Sequence, residues 1–147
     1  MSAFDTFTNN GLGHVAGQVE KQTGTDIVSR EVLTTGGIGA GLAVIDVNGY
    51  AVDFATTGEV PNGITIFEPV MDNDSTGVAD YTLGYTASVI RVGRVWVSAA
   101  GAVAGEAVKA VVDTGVIAST GTLTITGARY LTSTGSDGLA LVQLSGN

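Results

Sequence analysis

The sequence has no cysteine, one histidine, two prolines and two lysines. Each shortage removes a class of chemistry. Without cysteine there is no disulfide, no thiolate nucleophile and no sulfur-ligated metal site. One histidine, His14, supplies too few ligands for an ordinary zinc centre. Six basic residues stand against fourteen acidic ones, for a formal net charge of −8. Phosphate recognition needs clustered cations, and the four arginines (Arg30, Arg91, Arg94, Arg129) are scattered along the chain. Direct nucleic-acid binding is therefore not expected. No apolar run reaches the roughly 18 residues of a membrane-spanning helix, so no membrane partner is expected either. The opening "MSAFDTFTNNG" lacks a basic region followed by an apolar one, which argues against a secretory signal. The chain is expected to act where it is made, or to leave the cell by lysis.

What is abundant points one way. The chain has 22 glycines, 20 valines and 19 threonines, and 44% of its 147 residues are hydrophobic. Valine and threonine are branched at Cβ and suit a pleated surface better than a helix. The length is that of one domain with a real core. The expected fold is all-β: a single β-sandwich or barrel, jelly-roll-like, with an extended N-terminal arm.

Two segments differ in character. Residues 1–25 are polar and show no sustained period, and read as an arm. Residues 26–147 read as the β domain. Within it, "DIVSREVLTT" begins the strands. Asn48-Gly49 sits between two apolar runs and predicts a two-residue type I′ hairpin. "NGITIFEP" is a short strand, "MDNDSTGVAD" a loop, and Val89–Val97 a strand partly buried on both faces. Gly101 and Gly105 argue against a helix through the alanine-rich stretch that follows. Gly105-Glu106 reads as a turn before a strand from Ala107 to Val112, and "GTLTITGARYLTS" and "GLALVQLS" complete the set.

Candidate chemistry is thin. Gly11, Gly13 and Ala16 match a dinucleotide-loop spacing, but no strand precedes them. Asp72 and Asp74 open a calcium-like loop whose twelfth position is Leu83 instead of glutamate. Asp72, Asp74 and Asp80 read as turn residues, with adventitious calcium binding left open. His14 lies in the arm, where nothing holds a general base in place. Asp46 and Asp53 flank the hairpin, and chance pairing is common among nine aspartates. Trp96, Tyr50, Tyr81, Tyr85 and Tyr130 are read as core or interface residues ahead of a sugar platform. No catalytic residue, cofactor or metal is expected.

Two stretches carry a likeness to a known family. They are "GRVWVSAAGAVAGEAVKAVVDTGVI" and "TGARYLTSTGSDGLALVQL", within about residues 88–147. Their succession of strand, glycine-acid turn at Gly105-Glu106, apolar strand and closing pair (Gly127–Leu131 with Gly138–Leu144) resembles the phage capsid decoration, or structural cement, proteins. That resemblance implies a non-enzymatic virion protein on the outer capsid surface, made in the host cytoplasm. It implies the major capsid protein as partner and self-association as a homo-dimer or homo-trimer. Phe4, Phe7, Leu12 and Val15 are the expected apolar anchors of the arm. Two other readings stay open: a carbohydrate- or receptor-binding β module, and a small hydrolase using His14 or paired carboxylates.

Overall fold

The computed structural model describes residues 14–20, 23–68, 72–73 and 79–145. Thirteen strands occupy them: β1 (Val19–Glu20), β2 (Asp26–Val32), β3 (Ile38–Gly39), β4 (Ala43–Val47), β5 (Ala51–Asp53), β6 (Gly63–Thr65), β7 (Asp72–Asn73), β8 (Ala79–Tyr81), β9 (Thr86–Ala100), β10 (Ala107–Ala110), β11 (Ile117–Ala118), β12 (Leu123–Tyr130) and β13 (Leu139–Ser145). No helix occurs among the described residues. The alanine-rich stretch after β9 turns and becomes β10, as its glycines predicted.

Local chemistry explains the turns. Asn48 (φ 57°) and Gly49 (φ 80°) both take the left-handed conformation at the β4–β5 tip. The Tyr50 amide donates to the Val47 carbonyl at 3.3 Å. Val47 pairs with Ala51, however, not with Tyr50. Tyr50 is thus one residue more than a two-residue loop needs, and the bulge pushes its ring into solvent, 62% exposed. "MDNDSTGVAD", expected as a loop, carries β7 and β8, which pair as Asp72–Asp80 and Asn73–Ala79. Asp and Asn disfavour strands on propensity, and the pairing with β3 through Ile38–Tyr81 overrides that local preference.

The architecture turns on β9, 15 residues long. Its first half pairs with β2 on one edge and β6 on the other, so that Ile90 stands opposite both Ile27 and Ile64. Strands β2, β5, β4 and β6 then follow in order and close a five-stranded ring with β9. Its second half pairs with β13 on one edge and with β1 and β11 on the other. Strands β13, β12, β10 and β11 close a second five-stranded ring, again with β9. The closed sheet was expected; that it closes twice around one strand was not.

The switch between rings is a bulge. The β2–β9 register jumps from Ile27–Ile90 to Asp26–Val92, which leaves Arg91 as the extra residue. Gly93 follows at φ 132°, where a Cβ would meet Ile90 Cδ1 and the Thr25 side chain at 3.0–3.1 Å. An inserted residue reverses which way successive side chains point. Accordingly Ala87 and Val89 pack with Val32, Val44, Val52 and Tyr81 in one core. Ile90, Val95, Val97 and Ala99 pack in the other, with Val108, Ile117, Ile125, Tyr130 and Val142. Ile64 and Ile66 belong to that second core too. The β6 side of the first ring is therefore a wall of the second.

Within the segment read as the arm, β1 is part of the sheet. Gly17 and Gln18 bond to both sides of Trp96, N–H to carbonyl at 2.7 Å and carbonyl to N–H at 2.9 Å. Gly17 is buried at φ +88°, and a Cβ there would lie 2.6 Å from the Phe67 amide nitrogen. Residues 14–20 form a strap that only glycine at position 17 lets seat.

Candidate functional site

The residues weighed for chemistry serve the framework. Asp46 accepts from Arg30 Nε at 2.9 Å and from Nη2 at 3.4 Å, and bridges β4 to β2. Asp53 accepts from the Thr34 hydroxyl at 2.5 Å and the Phe54 amide at 2.8 Å. Both carboxylates face bonding partners, not a shared reaction space. His14 stacks on Trp96 with ring centroids 4.0 Å apart and planes 19° apart. Its Nδ1 is buried with no hydrogen-bond partner among the described residues. A base in that position is packed against an indole and holds no nucleophile. The chain after His14 enters β1, where a dinucleotide loop would need a helix. Gly11, Gly13 and Asp74 lie outside the described residues. Among the described residues, no group of three or more His, Cys, Asp or Glu could hold a metal ion.

The aromatic residues divide by location. Tyr81 is buried in the first core, and its hydroxyl donates to the Ile66 carbonyl at 2.6 Å. Burial, and then the neighbouring Glu68 carboxylate, push its phenol above the usual tyrosine range. Ser88 also donates to Glu68, so a short polar chain links β8, the segment after β6, and β9. Tyr130 fills the second core, its hydroxyl without a partner among the described residues. Burial, and then Glu106, raise its pKa.

Tyr50 and Tyr85 are the opposite case, 62% and 64% exposed. They flank the end of β2: the Glu31 amide donates to the Tyr50 carbonyl and the Val32 amide to the Tyr85 carbonyl. Leu33 and Leu83 are exposed beside them. This rim collects four large apolar side chains on one end of the first ring. Sequence reading noted both tyrosines but not their proximity, because a parallel pairing (β2 with β5) brings them together across 35 residues of chain.

A second exposed apolar pair lies at the strap. Val15 is exposed, and so is Phe67, whose amide donates to the Gly17 carbonyl at 2.8 Å. Of the four anchors expected from sequence, Val15 is therefore on the surface at the start of the strap. Phe4, Phe7 and Leu12 lie outside the described residues.

This is a doubly closed β body in which the carboxylates weighed for chemistry, Asp46 and Asp53, are held by framework partners, and six of the exposed apolar side chains lie at two surface spots. The family model described as structural cement protein (E217 gp24/Pam3 gp6) matches residues 5–145. The chain belongs to the structural cement protein family of phages. The match spans both rings, where the likeness read from the residues covered only the second half. A solved structure, "The capsid of Myoviridae Phage XM1", contains a chain of the same fold. The two share 21% identity with a TM-score of 0.69, over 89% of each chain. No curated protein matches. The cement family's role is structural and capsid-associated, which places this chain in the virion and makes capsid shell proteins its associates. The all-β expectation and the expected family both hold.

Proposed function

We propose that the chain clamps neighbouring coat subunits from the outer face of the shell, without catalysis, after synthesis in the host cytoplasm. The family match over residues 5–145 carries this reading. A clamp requires stiffness and contact area, not an active site. Two sheet closures remove most free strand edges and supply the stiffness. Contact area is supplied by the Tyr50–Tyr85 rim and by the arm, whose anchors are Phe4, Phe7, Leu12 and Val15. Rigid aromatic side chains with a polar tip suit such a surface. The protein works as a homo-dimer or homo-trimer, and many symmetric copies on one shell convert modest contacts into firm attachment.

Purified protein mixed with undecorated, expanded shells should co-sediment at fixed stoichiometry. Removing residues 1–13 keeps every described residue of the strap and both rings and should lower shell occupancy. Full occupancy by that truncated chain would falsify the role given to the arm. Sedimentation velocity of the free protein separates monomer from dimer and trimer.

A further inference from the structure

Along one edge of β9, β6 ends its pairing at Ile64–Ile90 and β13 ends at Ser145–Val92. The gap between them is an open cleft of about 390 Å³ at the junction of the two rings. Val60, Pro61, Ile125 and Leu144 give it apolar walls, and Asn62, Arg91 and Thr126 bring polar groups into it. Thr56 anchors one wall, donating its amide at 2.7 Å and its hydroxyl at 2.9 Å to Glu59, next to Val60. Arg91 is the bulged residue of β9, so the ring switch and the cleft have one origin.

The polar groups are donors in search of an acceptor. Asp46 is taken up by the Arg30 guanidinium. Arg91 Nη1 stands 3.9 Å from Asp46 Oδ2, outside hydrogen-bond range. The Arg91 guanidinium makes no hydrogen bond among the described residues. Around Asp46, among the described residues, two guanidiniums face one carboxylate and leave one positive charge beside the cleft, on a chain whose net charge is −8. Asn62 Oδ1 accepts from the Asp46 amide at 3.2 Å, which orients the side chain and leaves its NH2 free to donate. The Arg91 side chain is 32% exposed, sheltered enough for a pair there to exceed an ordinary surface one. The cleft's size lies in the range of small-ligand sites, with few polar groups on apolar walls. One net positive charge and greasy walls suit a monoanion on an aliphatic body better than a phosphate dianion.

We propose that this cleft is a carboxylate-binding site. The Arg91 fork and the Asn62 amide hold the carboxylate, and Val60, Pro61, Ile125 and Leu144 pack its aliphatic body. The same chemistry is offered by a free aliphatic carboxylate and by an acidic side chain of a shell protein. The second source rests on the capsid-clamp reading above.

Isotope-labelled protein titrated with isocaproate should show saturable amide shifts at Asn62, Arg91, Thr126 and Leu144. Isocaproamide, its uncharged counterpart, should bind at least about tenfold more weakly, the scale of one hydrogen bond to a charged group. Arg91→Gln should lose about as much affinity for isocaproate while keeping the wild-type circular dichroism spectrum. Equal binding of acid and amide, no saturable shift, or undiminished binding by Arg91→Gln overturns the site. Shell occupancy then distinguishes the sources. Lower occupancy for Arg91→Gln identifies an acidic side chain of a shell protein, and unchanged occupancy assigns the site to a free carboxylate. If the wild-type protein fails to bind shells, the clamp reading falls and the isocaproate result stands apart from it.

Discussion

Replacing Ile90 by alanine tests the shared-strand architecture. Ile90 is 0% exposed and sits on a rung between Ile27 and Ile64. Truncation removes three buried carbons and leaves a hole where the first ring's wall meets the second core. Substitutions of this kind cost about 2–5 kcal/mol, and the packed setting between two sheet neighbours points to the middle of that range, about 3 kcal/mol. For a chain of this size that lowers Tm by roughly 6–12 °C. Ile27 on the same rung is 44% exposed, so Ile27→Ala should cost less than about 1 kcal/mol. Urea unfolding provides the assay, followed by far-UV circular dichroism and by fluorescence of Trp96, the sole tryptophan. Dichroism reports all strands and Trp96 reports β9 in the second ring. A wall common to both cores makes them one cooperative unit, so the two signals should share a midpoint in wild type and variant. Ile90→Ala costing no more than Ile27→Ala, or a dichroism midpoint separated from the Trp96 midpoint, would refute the reasoning.

Gly17→Ala should unseat the strap at a cost of at least about 1–3 kcal/mol, since a left-handed backbone and a blocked Cβ position act together; protease sensitivity before β1 should rise. His14→Ala should expose one face of Trp96, seen as stronger acrylamide quenching, with a loss of about 0.5–1.5 kcal/mol. Thr65 is fully buried, donates to the Gly39 carbonyl at 2.6 Å and accepts from the Leu42 amide at 3.1 Å. Thr65→Val leaves both partners unmet and should cost about 1–3 kcal/mol by chemical denaturation. Tyr81 and Tyr130 keep their protons to higher pH in the folded chain than in the unfolded one, where tyrosine ionises near pH 10. Above about pH 10 the unfolded state therefore binds fewer protons, and stability should fall with rising pH. Urea midpoints that stay level from pH 9 to beyond pH 11 would contradict the burial of these phenols.

Much of the fold was legible where the signal is local. Asn48-Gly49 gave the hairpin because only a few residues tolerate two left-handed positions in succession. Strands β2, β9, β10, β12 and β13 followed from apolar β-branched runs between glycines. The reading of Val89–Val97 as partly buried on both faces anticipated the residue pair Val89 and Ile90, which serve different cores. What escaped depends on distant pairing. β1 is two residues long and gains its identity only from Val95 and Arg94. β7 and β8 are held by one another and by β3. The cleft was invisible because Asn62, Arg91 and Leu144 meet only through the registers of β6 and β13 on β9.

The sharing of β9 also has a mechanical consequence. A load applied to one ring reaches the other along covalent bonds, without crossing a junction that non-covalent contacts alone hold shut. Tension along β9 strains the ladders with β2 and β13 in shear, so many rungs must yield together. A tug across the strand would unzip them singly. A fastener anchored at opposite ends of this strand resists in its strongest direction.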